Sequence, residues 1–312
     1  MTEVAGRVAE IAAARTIVVR EEIFPAPAPG QILIKVCRVG VCASDLLHWE
    51  SGPEPGQPPL RLGHEPVGIV HAVGAGVPDI RPGQIVTGRL VPAFADYVYA
   101  DPCDVVQVPD AVDPAIAVGE PLGCVVDAYR RIPPEVGSVT AVVGLGFMGL
   151  LMTSLLALSP VAAIWAIGRG PETLIAASRA GATHTYAPDD PHLIAGVAEL
   201  VVEATGVQAG LDIASNLAAE HGALSVLGYH QDGRRVIDMR AWNWKSLTVI
   251  NGHVRDRHQL ARSIHAGMRL LASNRLDTRR LFSHQYSLEN LDDAFQALRS
   301  KPKGFIKGVI VL

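Results

Sequence analysis

The chain changes its hydrophobic rhythm a little over a third of the way along. In the first part the apolar positions come in short alternating runs, as in Gln31-Ile32-Leu33-Ile34-Lys35-Val36. Breaks such as Pro25-Ala26-Pro27-Ala28-Pro29-Gly30 and Pro53-Glu54-Pro55-Gly56-Gln57-Pro58-Pro59 separate them. Alternation with turn residues at close intervals predicts an irregular β-rich domain. From about residue 138 to 252 the apolar runs become continuous, at 139–143, 162–167, 200–202, 223–227 and 247–250. Helical stretches fall between several of them, 150–158 among these. Strands buried on both faces and alternating with helices predict a doubly wound parallel sheet. Residues 259–271 then read as a helix, 288–298 as an amphipathic one, and 308–312 as a closing strand.

One stretch changes the picture if taken alone. Residues 136–168 contain no Asp, Glu, Lys or Arg, long enough to span a bilayer. Gly137, Gly144, Gly146, Gly149 and Pro160 divide it, and no Lys/Arg cluster flanks it. A strand–helix–strand unit gives the same hydropathy, so no membrane association is expected. The opening Met1-Thr2-Glu3-Val4 lacks the basic-then-apolar pattern of a signal peptide. At 312 residues two domains are expected, because a single core stops growing near ~250–300. A composition 49% hydrophobic and 19% charged is that of a folded chain. The net charge of −4, without a basic cluster, speaks against a nucleic-acid partner. Four cysteines are too few for a disulfide scaffold, which points to a reducing cytoplasm.

Gly144-Leu145-Gly146-Phe147-Met148-Gly149 has the form G-x-G-x-x-G and stands between a predicted strand and a predicted helix. The first glycine permits a tight turn and the second lets backbone approach a pyrophosphate. The third allows close helix–strand packing, and the helix N-terminus favours the negative charge. An acid that binds the ribose hydroxyls of NAD(H) is usual about 20 residues on. Here Gly168 and Arg169 stand there, with Glu172 a few residues later. Without the acid, and with a guanidinium to pair with a 2′-phosphate, NADP(H) is expected over NAD(H). Gly228-Tyr229-His230 follows the fourth apolar run, so its place is near the nicotinamide, where strands of such sheets end.

Cys42, His64 and Glu120 lie in the β-rich part and at its end. A thiolate, an imidazole and a carboxylate can form the three-ligand open site of a catalytic zinc. Asp45, three residues beyond Cys42, is within reach to orient a ligating imidazole. Spacing this loose also suits a buried Cys42, a capping Asp45 and a structural His64.

Several motifs then occur in one order over nearly the whole chain. They are Gly63-His64-Glu65, Arg81-Pro82-Gly83-Gln84-Ile85-Val86, Phe94-Ala95-Asp96-Tyr97-Val98, Glu120-Pro121-Leu122, the glycine loop and Glu203-Ala204-Thr205-Gly206. With them the sequence resembles the zinc-dependent alcohol and polyol dehydrogenases of the medium-chain dehydrogenase/reductase superfamily. The resemblance implies an α/β protein with a GroES-like β-rich catalytic domain over 1–127. A Rossmann doubly wound parallel sheet follows over 128–260, and 261–312 return to the catalytic domain.

By the same resemblance Cys42, His64 and Glu120 match zinc ligands, and Glu65 matches a glutamate that can join or exchange with water at the metal. Cys124, four residues after Glu120, could substitute, so Glu65, Glu120 and Cys124 all stay open as completing ligands. Ser44 matches the hydroxyl that takes the substrate proton. The relay histidine of the family has Leu47 in its place, with His48 next to it. The structural-zinc lobe would fall between Gly88 and Phe94, where only Arg89-Leu90-Val91-Pro92-Ala93 stands. One catalytic zinc per chain and no structural zinc are therefore expected. Cofactor contacts are expected from Gly144, Gly146, Phe147, Met148, Gly149, Gly168, Arg169, Thr205, Gly228 and Tyr229. The implied activity interconverts an alcohol and its ketone or aldehyde by hydride transfer. Glu120 in place of a cysteine, with Trp49, Tyr229, His230 and His253 as polar pocket candidates, leans toward a polyol, sugar alcohol or cyclitol. A homodimer or homotetramer through the strand near 247–250 is implied as well. The alternatives are a zinc-independent NADPH enone or quinone reductase of the same superfamily, and a non-catalytic nucleotide-binding protein on the same fold.

Overall fold

A computed structural model describes residues 3–312; Met1 and Thr2 of the opening segment lie outside the described residues. The chain divides into two compact units. One runs to Gly123 and resumes with Asp256–Leu312, and the other is Cys124–Arg255.

The first unit is built on the strand Ile32–Gly40, which is buried on both faces. Ile32, Ile34 and Val36 point one way, into a cluster with Trp49, Phe94 and Phe295. Leu33 points the other way, onto Val8, Phe24, Ala72 and Tyr97. One strand thus serves two small cores, which is why the expected alternation gives way to adjacent apolar residues at 32–34. Around it the sheet runs Phe282–Tyr286, Lys307–Val311, Ile32–Gly40, Pro66–Val73, Ile85–Gly88, Val105–Gln107, and Tyr97–Ala100 also pairs with Ile32–Gly40. A separate hairpin, Val4–Ala13 with Thr16–Phe24, is tied on through Ala9 N to Phe94 O and Ile11 N to Leu60 O, both 2.9 Å.

Two pairings in this sheet bring distant sequence together. Val39 lies opposite Pro66, so the end of one strand meets the start of another directly after His64 and Glu65. Val309 lies antiparallel to Gly40, so the last strand of the chain delivers Lys307 to the same place. The return of the C-terminal segment is a sheet pairing with a defined register.

The second unit is a six-stranded, all-parallel sheet. Its order is His184–Tyr186, Ala163–Ile167, Val139–Val143, Ala198–Glu203, Ala218–Val226, Thr248–Asn251. Numbered within the unit this is 3-2-1-4-5-6, the doubly wound order whose ligands bind where the order reverses. Helices Phe147–Leu156, Pro171–Arg179 and Gln208–Leu217 make the crossovers. The uncharged stretch 136–168 is therefore strand, helix and strand, and among the described residues no helix is long and apolar enough to cross a membrane. The helix starts at Phe147 rather than at residue 150, because Gly146 is its N-cap.

Candidate metal and dinucleotide sites

Gly63 sits at φ +89°, and a Cβ there would come within 2.8 Å of Phe94. The chain turns through this glycine and presents His64 and Glu65 before entering the Pro66–Val73 strand. Across the sheet, Cys42 follows the end of Ile32–Gly40 and caps a short turn of 3-10 helix, Ala43–Asp45. Donor atoms of Cys42, His64 and Glu65 all lie within 4.8 Å of one another. The Ser44 hydroxyl joins them, donating to Cys42 Sγ at 3.2 Å and lying 3.4 Å from His64 Nε2. Behind the imidazole, Asp45 Oδ2 stands 3.4 Å from Nδ1. The carboxylate thus faces one ring nitrogen and leaves the other turned toward the sulfur.

Charge in this pocket is dense. Burial pulls the His64 pKa down, but the hydrogen bonds and charges of Asp45 and Cys42 outweigh it and push it up to about 12. Glu65, 1% exposed, is held by Lys307, whose Nζ lies 2.8 Å from Oε1 and 2.6 Å from Oε2. Burial alone would raise the Glu65 carboxyl. Lys307, then His64, hold it below the usual carboxylate range. Burial would likewise lower Lys307, but Glu65, Cys42 and Glu120 hold its ammonium above its ordinary value. Lys307 had no place in the sequence reading. Its one signal was a lysine opening an otherwise apolar terminal strand, Lys307-Gly308-Val309-Ile310-Val311.

The other expected ligand, relay and pocket residues from 48 to 124 are not among the three clustered donors. Glu120 is in the first turn of the helix Gly119–Arg131, whose first amide donates to Thr87 Oγ1 at 2.9 Å. Its charge reaches Lys307, but it is not one of the three clustered donors. Cys124, half-buried, lies one helical turn further on. His48 is exposed on the helix Leu46–Ser51. Trp49, expected to be a polar pocket residue, is instead part of the core at 2% exposure. Its ring stacks on Phe295 at 5.6 Å and its Nε1 donates to Asp292 at 2.7 Å. An indole buries well when its one donor finds a partner, and this partner is far away in sequence.

In the second unit the glycine turn lies between Val139–Val143 and Phe147–Leu156. Gly144, at φ +102°, has no room for a side chain, since a Cβ would come 2.6 Å from Thr205 Cγ2. At Gly149 a Cβ would run into the carbonyl of Gly144. At Gly146 it would meet no protein atom within 4 Å. The first and third glycines are thus packing requirements, while the middle one keeps backbone accessible on an open side. Phe147 is buried and Met148 half-buried at the start of the helix. Gly168 closes Ala163–Ile167, with its amide on Tyr186 O at 3.0 Å, and Arg169 after it is exposed. Glu172 lies in the first turn of the helix Pro171–Arg179. Thr205, Gly228 and Tyr229 stand at the carboxyl ends of the next two strands, Tyr229 half exposed. His253 reaches Gly228 O at 3.3 Å and packs 5.5 Å from the Tyr229 ring. Burial foremost lowers its pKa.

A cysteine–histidine–glutamate donor set in a β-rich unit, and a 3-2-1-4-5-6 parallel sheet with a glycine turn in the other unit, together define a two-unit dehydrogenase architecture. Residues 28–110 match the family Alcohol dehydrogenase GroES-like domain. L-threonine 3-dehydrogenase of Bacillus subtilis is 26% identical over 310 residues, covering 86% of this chain and 88% of that protein. Sorbitol dehydrogenase of Gallus gallus is 26% identical over 319 residues, covering 88% of each. Among solved structures, one from Sinorhizobium meliloti 1021, provisionally assigned as a zinc-binding dehydrogenase and bound to NADP, superposes with a TM-score of 0.87. It is 25% identical and covers 99% of this chain and 100% of that one. Over most of its length the chain is thus similar to alcohol and polyol dehydrogenases, and it resembles the zinc-dependent ones of the medium-chain dehydrogenase/reductase superfamily.

Proposed function

We propose that the chain is a zinc-dependent alcohol dehydrogenase that interconverts a secondary alcohol of the polyol class and its ketone, with NADP(H) as redox partner. The observation that carries this reading is the convergence of Cys42, His64 and Glu65 donor atoms within 4.8 Å, with Ser44 against two of them. The donor chemistry fits zinc: sulfur and imidazole nitrogen are its preferred ligands, and a carboxylate completes such open sites. The electrostatics fit as well, because the Asp45 carboxylate and Cys42 sulfur that face the His64 ring would also attract a divalent cation, whose binding must displace the ring's proton.

Cys42 and His64 would hold the ion through Sγ and Nε2, with Asp45 on Nδ1 fixing the ring's tautomer and direction. Either Glu65 or Glu120 completes the set. Lys307 and the metal compete for Glu65, so Glu65 reaches the ion only by loosening its ion pair. When bound, zinc supplies Lewis-acid polarisation of the substrate oxygen and the nicotinamide supplies the hydride acceptor. Ser44 is the hydroxyl placed to take the substrate's proton, and exposed His48 can pass it to water. In the second unit the accessible Gly146 backbone and the N-terminus of Phe147–Leu156 fit a pyrophosphate. Exposed Arg169, at a strand end where Gly168 replaces the acid usual in NAD(H) sites, fits a ribose 2′-phosphate.

The four free cysteines suit a reducing cytoplasm. An unpaired edge supports a homodimer or homotetramer: among the described residues Thr248–Asn251 pairs only with Ala218–Val226, and Val249 on it is exposed. The test of the function is metal analysis with turnover on a panel of polyols. About one zinc per chain is expected, with NADP-linked oxidation that Cys42→Ser abolishes together with the metal. A purified chain that binds no zinc and reduces enones would assign it to the metal-free reductases instead.

A further inference from the structure

Glu203 ends the fourth strand of the parallel sheet with its side chain fully buried. Its Oε1 accepts from the amides of Thr205 at 2.6 Å and Gly206 at 2.9 Å, and from the Thr205 hydroxyl. The other oxygen, Oε2, lies 2.9 Å from His230 Nε2. His230 Nδ1 accepts from Arg235 Nε at 2.7 Å. A guanidinium can only donate, so Nδ1 carries no proton and Nε2 carries the one given to Glu203. Arg235 also donates to the Gly206 carbonyl at 2.7 Å and pairs with Asp232.

This chain of charged hydrogen bonds joins the two loops that follow the fourth and fifth strands. The first, 204–206, is the wall against which the glycine turn is packed, because Gly144 has room only for hydrogen beside Thr205 and Ala204. The second begins at Gly228, whose amide donates to Glu203 O at 2.8 Å, and carries half-exposed Tyr229. Both ring nitrogens of His230 are engaged, one on each loop's anchor. A residue there only to fill space needs neither bond.

We propose that His230 is a positioning residue for the dinucleotide: through Glu203 and Arg235 it fixes loops 204–206 and 228–235 in the spacing that the glycine turn and the cofactor require. The proposal rests on the dehydrogenase reading above and adds to it a residue that touches neither metal nor substrate. Its loss weakens the binding of either dinucleotide, because the loops serve the part of the cofactor common to both, and leaves the chemical step nearly intact.

The test compares zinc-loaded wild type with His230→Leu and His230→Gln. Direct fluorescence titration of NADPH and NADH is combined with KM and kcat for each. Leucine removes both bonds and is expected to raise Kd and KM for both cofactors about tenfold, with kcat within about threefold. Glutamine can donate to Glu203 and accept from Arg235, and is expected to return Kd to within about twofold of wild type. Unchanged Kd in the leucine variant overturns the proposal, as does a glutamine variant equally impaired or a loss confined to kcat. If the leucine variant does not fold, Arg235→Ala breaks the same chain from its far end. Cofactor binding about threefold weaker or more is then expected, and unchanged binding overturns the proposal. A wild type that binds neither dinucleotide refutes the dehydrogenase reading itself, and this proposal with it.

Discussion

The buried ion pair between Lys307 and Glu65 gives the sharpest test of how the metal pocket is held together. Both side chains are almost wholly enclosed, 6% and 1% exposed, and Nζ is within 2.8 Å of both carboxylate oxygens. Lys307→Met keeps much of the volume and removes the charge, leaving buried Glu65 without its ion-pair partner, with His64 and Cys42 alone against the burial that favours its protonation. Breaking one side of a buried pair costs ~3–5 kcal/mol, mostly through the stranded charge rather than the lost attraction. The metal-free variant is expected to lose that amount, and the double variant Lys307→Met, Glu65→Gln to recover most of it. Zinc should rescue the single variant more than it stabilises wild type, because a Glu65 released from Lys307 can turn toward the cation. Hydrogen exchange of the Ile32–Gly40 amides reports the stability of this unit alone, and measuring it with and without zinc closes the cycle. A loss below ~1 kcal/mol in the single variant, or a double variant no better than the single, would refute the reasoning, since a buried unpaired carboxylate cannot be that cheap.

Asp45→Ala removes the carboxylate behind His64 and is expected to lower zinc affinity about 10–100-fold while leaving Cys42 and His64 in place, measurable by competition with a chelating dye. Arg169→Ala should raise KM for NADPH about tenfold and leave KM for NADH within about twofold; equal effects on both would remove Arg169 from the phosphate site. Asp96 gives a pH signature: burial raises its carboxyl, but Arg7, bonding through Nε at 2.9 Å, Nη2 at 2.8 Å and its own amide at 2.7 Å, overrides this and lowers it. A lowered native pKa stabilises above the unfolded value of about 4 and is lost as the pH falls below it. Asp96→Asn should therefore be less stable than wild type near pH 7, with the gap closing toward about pH 3 in urea unfolding.

The parallel sheet was legible because its strands are buried on both faces, so hydropathy alone marks them. Residues 139–143 coincide with the strand Val139–Val143. The strand it missed, His184–Tyr186, is a three-residue edge with polar positions and one neighbour, too short for any period to show. In the first unit the alternation in 31–36 announced a strand, but the two pairings that assemble the proposed metal pocket left no local trace. Glu65 and Lys307 are 242 positions apart, and Trp49 and Asp292 are 243 apart. Local pattern encodes which segments are strands; partners that meet across a sheet depend on register, which a single sequence does not print.

The same distinction explains which site residues could be named from the sequence. Cys42, His64 and Glu120 were named because metal donors are few in type, and Glu65 through the family resemblance; the fold gathers the donor atoms of Cys42, His64 and Glu65 and leaves Glu120 outside that cluster. Gly144 was found because a φ of +102° against Thr205 admits no other residue, so the constraint is written in the chain itself. Lys307 was assigned no place, and His230 was expected as a polar pocket residue rather than between Glu203 and Arg235, because their roles come from what they balance. One neutralises a carboxylate that burial would otherwise protonate, and the other joins two loops through a carboxylate that has no solvent to turn to. Such residues carry no motif of their own. They become necessary once an ionised Glu65 and an ionised Glu203 are enclosed, since each buried charge must meet a partner from whichever strand the fold brings beside it.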